Sequence, residues 1–184
     1  MNNLTTTDRL KDLLPQLFSQ KQREGNYYLR LQLTESVNIL LDLTYVQESL
    51  TIDHSQITAV PNLPEYVVGL MNSRNQVFLA VDLAHLAGFP PATLNQREYQ
   101  TVVVQNASKQ NNIQSDEFNL YGLTVRRIQG ISRILPENFE ASIAEAPENI
   151  SDFIQGSILE SHQDTEEPQR SFLIDLARLL SNKI

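Results

Sequence analysis

The sequence predicts an all-β protein made of two copies of one unit, each forming a small β-barrel or a barrel-like sheet. Three pairs of similar segments occur in the same order, and their spacing grows only across loop-like residues. The pairs are residues 39–47 with 121–129, 66–69 with 153–156, and 78–86 with 171–179. The remaining segments are typical of many short strands with little helix. A repeated unit of roughly 80 residues can enclose a core.

The chain begins with a predicted helical extension, residues 1–25, outside the repeat. Thr7 and Asp8 can cap a helix, and Pro15 should kink it or split it into two turns. Its apolar residues fall on one stripe, which consists of Leu10, Leu13, Leu14, Leu17 and Phe18. We favour packing of this stripe on the body of the same molecule. The alternative is that the helix is offered to a partner.

The first copy should open with a strand at 27–33, where apolar and polar residues alternate. The prolines of the loop 61–64 each fix φ and restrict the preceding residue, so this loop is extended. Apolar spacing at 43–50 fits either a short helical turn or a bent strand. The other predicted elements are strands at 37–41, 66–71 and 77–81, a turn at 72–76, and a helical turn from Asp82 that Gly88 and Pro90 end.

The second copy should repeat this plan with longer connections. Residues 101–104 and 120–125 are apolar strand segments. Between them, 106–117 is polar and predicts an extended loop. An acidic turn at 160–169 replaces the short turn of the first copy.

Composition excludes several classes of function. The 184 residues carry a net charge of −8, which argues against a nucleic-acid surface because phosphate contacts need clustered basic residues. The absence of cysteine excludes disulfides, thiolate nucleophiles and cysteine-based zinc sites. Because apolar runs are short and the N-terminus is polar, we expect neither a membrane span nor a signal peptide, and a cytoplasmic location.

Candidate catalytic and metal-binding residues are few. His54, His85 and His162 lie far apart and lack the spacing of histidine metal sites. Asp82 and Asp175 could form a carboxylate pair, one from each copy. Their position where a strand gives way to a helix favours a simpler role, in which each side chain caps the following helix. We therefore expect no cofactor, no metal and no catalysis.

One stretch resembles a known family signature. Residues 57–74, followed by Val81-Asp82-Leu83, follow the CheW pattern, a Pro-x-x-Pro-x-aromatic-aliphatic-x-Gly-aliphatic-x-Asn-x-Arg run leading to Val-Asp-Leu. The resemblance covers about residues 26–181. It implies two intertwined, five-stranded SH3-like barrels, roughly 26–98 and 99–181. Asn75 replaces the glycine that usually follows the arginine, and the segments 106–117 and 160–169 are long for the family.

The resemblance implies a cytoplasmic, non-catalytic adaptor. Such proteins couple methyl-accepting chemoreceptors to the regulatory domain of a CheA-type histidine kinase, and they reach the membrane only through the receptor. The pathway could be chemotaxis, phototaxis or twitching motility. By position, the receptor-binding residues would be Val46, Gln47, Glu48, Gly69, Asn72 and Arg74. Glu48 and Arg74 are expected to form an ion pair.

A different class of function is the alternative. A β-barrel can also carry a small-ligand sensor or an enzyme, which here would use Asp82, Asp175 or His85. Polar side chains that converge in a pocket would favour this alternative, whereas a shallow apolar groove would not.

Overall fold

The computed structural model of the protein describes residues 25–92, 97–105, 120–141, 145–160 and 168–183. Short strands dominate this part of the chain. They are β1 (Asn26–Gln32), β2 (Asn38–Asp42), β3 (Val46–Asp53), β4 (Val67–Ser73), β5 (Gln76–Asp82), β6 (Glu98–Gln105), β7 (Leu120–Val125), β8 (Arg127–Ile134), β9 (Ile154–Glu160) and β10 (Gln169–Ile174). The α-helices are α1 (Leu83–Leu86), α2 (Glu148–Ser151) and α3 (Leu176–Lys183), and 3-10 turns occur at Leu43–Tyr45, His54–Gln56 and Pro136–Asn138.

The strands form two five-stranded sheets with matching topology. Sheet I has the order β8-β1-β2-β10-β9, and sheet II has the order β3-β6-β7-β5-β4. One pair in each sheet is parallel, β2 with β10 and β5 with β7, and the other neighbours are antiparallel. Each strand of the first copy corresponds to the strand five places later. The predicted duplication and the all-β class are confirmed.

The offsets between the sequence repeats reappear in the strands. β2 and β7 begin 82 residues apart, β4 and β9 begin 87 apart, and β5 and β10 begin 93 apart. The copies nevertheless do not each form one sheet. Sheet II takes five consecutive strands, β3 to β7, whereas sheet I joins β1 and β2 to β8, β9 and β10. The expected bounds 26–98 and 99–181 stay a prediction, and the two sheets divide the chain elsewhere.

Each sheet curls until its edge strands share one core. In sheet II, Ile52 on β3 and Met71 on β4 lie in one apolar cluster with Phe78. In sheet I, Ile134 on β8 and Ile158 on β9 lie in one cluster around Leu40. Strands at opposite edges of a sheet can share a core only if the sheet bends round, so both halves are barrel-like.

The largest core lies between the sheets. It is formed by the outward faces of β1, β2, β6 and β7 together with the helices. Leu29, Leu31 and Leu41 of sheet I pack in the same cluster as Val102 and Leu123 of sheet II. These strands alternate buried residues between this shared core and the barrel interiors, as the two-residue period of a strand requires.

Two of the local predictions are refined by the structure. Segment 43–50 contains both proposed elements, a 3-10 turn and then β3. The predicted five-residue turn at 72–76 is shorter, because β4 and β5 pair down to Ser73 and Gln76. The N-terminal extension to residue 24, the loop 106–117 and most of the acidic turn 160–169 lie outside the described residues.

Candidate functional site

The predicted receptor-facing residues centre on the start of β3 and the β4–β5 hairpin, at one end of sheet II. A β-bulge opens β3, because Val46 pairs with Val104 but Glu48 pairs with the adjacent Val103. Gln47 is the extra residue. A bulge re-aims the side chains around it. Val46 is half-buried against the shared core, and Gln47 is exposed.

Glu48 closes the end of the barrel interior. It continues the inward-facing row of Leu50 and Ile52, and only 14% of its side chain is exposed. Its carboxylate accepts a 2.8 Å hydrogen bond from Ser73 Oγ, and its other oxygen lies 2.9 Å from Arg74 Nη2. The contact joins the two edge strands of sheet II, so it fastens the hairpin to β3. The predicted Glu48–Arg74 ion pair is confirmed.

The hairpin turn has an unusual backbone. Arg74 and Asn75 have φ of 48° and 63°, positive at both central positions as a type I′ turn requires. Asparagine tolerates this region better than most residues, but an arginine held there costs about 1–2 kcal/mol. The turn presents the Arg74 side chain, which is 78% exposed. Such backbone strain persists only where the surrounding structure holds the residue in place, and it is frequent at functional sites.

The remaining predicted residues differ in exposure. Asn72 is exposed and lies opposite Val77 in the β4–β5 ladder. Gly69 is buried and follows a bulge at Val68. The sequence reasoning missed Ser73. Its signal was available, because Ser73 stands two residues after the buried Met71 and therefore faces inward, where a hydroxyl needs a partner.

Sheet I carries a comparable closing contact with different residues. Gly130 of β8 occupies the place of Glu48 and has no side chain to offer. Its neighbour across the ladder, Arg30, is 3.3 Å from Glu160, which corresponds to Ser73. Both side chains are mostly buried. Each barrel end is thus closed by a polar contact, built on a glutamate from β3 in one case and from β9 in the other.

Two of the three alternative site residues, Asp82 and Asp175, have structural roles, and the His85 side chain lies 3.9 Å from Glu65. Asp82 caps α1 by accepting from the His85 backbone N–H at 3.0 Å, and Asp175 caps α3 by accepting from the Arg178 N–H at 2.9 Å. The capping interpretation is confirmed. The clefts found along the described residues are open and lined by other side chains.

The described ranges contain neither a metal-binding cluster nor a membrane-spanning helix. No cluster of three histidine, aspartate or glutamate residues suited to a metal ion occurs there. No helix in these ranges is both long and apolar enough to cross a membrane.

Comparison with known proteins adds two findings. The family model described as CheW-like domain matches residues 28–183. The crystal structure of the scaffolding protein TtCheW from Thermoanaerobacter tengcongensis is similar, with a TM-score of 0.63 and 19% sequence identity over 84% of this chain and 92% of that chain. At this identity the likeness establishes the fold. No curated protein matches the sequence closely enough to be counted as a relative.

Proposed function

Because the chain belongs to the CheW-like domain family, we propose that it is a non-catalytic adaptor coupling methyl-accepting chemoreceptors to a CheA-type histidine kinase. The observation that carries this proposal is the Glu48–Arg74 pair at the family's receptor-facing positions. It holds an exposed arginine on a strained turn at one end of sheet II. The pathway served is chemotaxis or a related phototaxis or twitching-motility system.

The geometry suits recognition through a prepositioned side chain. The Glu48 carboxylate is held by Ser73 and faces Arg74 from inside the barrel end. Arg74 therefore loses little conformational freedom when a partner binds, since turn and ion pair already restrict it. The exposed Gln47 and Asn72 can provide further hydrogen bonds. Gly69 is buried, and its role is to let β4 pack closely against residues 57–58. In this proposal, receptor binding uses these residues and the kinase binds at the barrel edges.

The test is reconstitution with a purified receptor signalling fragment and a CheA-type kinase. We expect the three proteins to co-sediment and kinase autophosphorylation to rise when all are present. Arg74→Ala should lower receptor affinity by about tenfold, equivalent to about 1.4 kcal/mol. It should lower the free energy of unfolding by less than about 1 kcal/mol, because the arginine is exposed and Glu48 keeps its Ser73 bond.

Arg126→Ala is the matched control. Arg126 also forms an exposed 2.8 Å ion pair, with Glu35, away from the hairpin. This variant should bind like the parent chain. Equal affinities of the parent and Arg74→Ala chains would remove Arg74 from the receptor site, and failure of the parent chain to bind either partner would overturn the proposed function.

A further inference from the structure

A mostly apolar cleft opens where the described chain begins. Its lining residues are Gly25, Asn26, Tyr27, Asp42, Leu43 and Thr44. Tyr27 is 52% exposed, and Ile131, diagonal to it across the β1–β8 ladder and on the same face, is 59% exposed. Leu43 forms the inner wall and packs on the shared core. Large apolar side chains exposed in neighbouring positions mark an interaction surface.

We propose that residues 8–18 of the same chain cover this cleft. Their apolar stripe, Leu10 to Phe18, needs an apolar surface because so short a helix is not stable alone in water. The cleft supplies such a surface, with an aromatic ring and a leucine. The chain thereby covers its own apolar patch.

The connection between segment and cleft has a suitable length. Six polar residues, 19–24, separate Phe18 from Gly25, which itself lines the cleft. Fully extended, this linker spans about 20 Å, and the stripe is about 13 Å long as a helix. A short tether gives a local concentration in the millimolar range, so even a weak apolar contact is populated.

The point of attachment is fixed at the cleft wall. Gly25 has φ of +113°, and an added Cβ would lie 3.0 Å from the carbonyl oxygen of Ile134. Arg133 Nε donates to the Gly25 carbonyl oxygen at 3.5 Å, and Arg133 Cζ lies 5.4 Å from the centre of the Tyr27 ring. The segment therefore leaves the body beside the ring that it is proposed to cover.

Docking here would affect the neighbouring receptor site. Thr44 lines the cleft, and β3 begins two residues later with Val46 and Gln47. A docked segment would compete with a receptor for this end of sheet II. This consequence rests on the adaptor function proposed above, whereas the docking itself does not.

Paramagnetic relaxation in the full-length protein tests the docking. The chain has no cysteine, so Gln16→Cys, off the apolar stripe, can carry a single nitroxide. We expect the amide signals of Tyr27 and Thr44 to lose most of their intensity. The Ser55 signal, beyond the far end of β3, should be unchanged. Adding Leu14→Glu should restore the Tyr27 and Thr44 signals, while Gln20→Glu, which adds the same charge outside the stripe, should not.

Three outcomes would overturn the docking. They are no loss of signal at Tyr27 and Thr44, loss confined to another face, and loss that appears only between a spin-labelled chain and a separate isotope-labelled chain. The last result would mean that a second copy fills the cleft. Receptor affinity is a separate measurement, and Leu14→Glu should raise it. Confirmed docking with unchanged affinity would remove the competition step alone, whereas absence of any receptor binding would count against the proposed function.

Discussion

At Gly69, an added methyl group would lie 2.5 Å from the carbonyl oxygen of Thr58 and 2.7 Å from Ile57 Cγ2. The backbone there also has φ of +152°, which side chains other than hydrogen rarely adopt. Thr58 and Leu70 exchange backbone hydrogen bonds of 2.9 and 2.8 Å at this point. A residue placed in the binding site by family position therefore has a packing role, which lets the 57–58 segment lie against β4.

Gly69→Ala should destabilise the protein by about 2–4 kcal/mol, because backbone must move and a bridge is lost. Gly130→Ala is the control for backbone strain alone. Gly130 has φ of +127° but nothing within 4 Å of an added Cβ, so this change should cost only about 1 kcal/mol. Urea denaturation measures both. Equal losses of stability would mean that the clash with Thr58 is relieved elsewhere.

Tyr99 is a buried phenol whose ionisation should be visible in stability at alkaline pH. Burial, and to a lesser degree the charge of Asp82, raises the pKa of Tyr99 above its ordinary value of 10.0. The folded state thus holds this proton more tightly than the unfolded chain. Its contribution to stability is complete below pH 10.0 and is lost as the pH rises through the raised pKa.

Tyr99→Phe should reduce the alkaline loss of stability. Thermal unfolding of both proteins across this pH range, each referred to its own value at neutral pH, measures the difference. Because phenylalanine cannot ionise, the parent chain should lose more stability above pH 10.0 than the variant does. Parallel curves would show that Tyr99 ionises equally well in the folded and unfolded states.

At the scale of elements, the polar contacts at the barrel ends should contribute unequally to stability. Arg30 and Glu160 are both mostly buried, at the closed end of sheet I. Glu160→Ala removes a charged partner from a partly desolvated guanidinium and should cost about 1–3 kcal/mol. Glu35→Ala breaks the exposed pair with Arg126 and should cost less than about 1 kcal/mol. Chemical denaturation that gave the two variants equal stability would contradict a closing role for Glu160.

The positions of most strands could be predicted from the sequence. The repeats located β2, β4, β5 and their counterparts, since apolar alternation and strand ends recur together. Strand patterns alone do not predict that sheet I is assembled from both ends of the chain, because identical patterns fit either pairing. Only the family resemblance implied intertwined barrels. At the site, family position brought Glu48 and Arg74 together, as the structure confirms. The same reasoning could not separate the exposed Asn72 from the buried Gly69, since the burial of Gly69 depends on segment 57–58 packing against β4.

At the scale of the whole molecule, the duplicated fold suggests how the proposed kinase contact is made. Val77, which pairs with Asn72 in the β4–β5 hairpin, is 55% exposed. Leu159, which pairs with Arg170 in the β9–β10 ladder, is 50% exposed. The cross-strand pairs Asn72–Val77 and Leu159–Arg170 occupy corresponding positions in the two copies. Each barrel thus has an exposed aliphatic residue at this ladder step that can contact a partner barrel, and such anchors dominate interface energies more than rim charges do.

Val77→Glu and Leu159→Glu should each weaken kinase binding strongly, because an unpaired charge would be buried in the contact. Both positions are exposed, so the fold should tolerate the changes. Gln76→Glu is the control, since it adds the same charge beside Val77 without removing an apolar anchor. Binding by the parent chain should survive moderate salt despite the net charge of −8. Affinity that resists both substitutions but collapses in salt would identify an electrostatic contact instead.

The assembly of sheet I from both ends of the chain has a consequence for biosynthesis. The strands of sheet II, residues 46–125, emerge from the ribosome one after another and can fold as soon as β7 is out. β1 and β2 emerge earlier, yet the other three strands of their sheet, β8 to β10, are complete only at Ile174. During most of translation, β1 and β2 therefore lack the other strands of their sheet, and their apolar faces stay without that partner. We expect ribosome-bound chains just long enough to place β7 outside the exit tunnel to protect sheet II from protease while β1 and β2 remain open to cleavage.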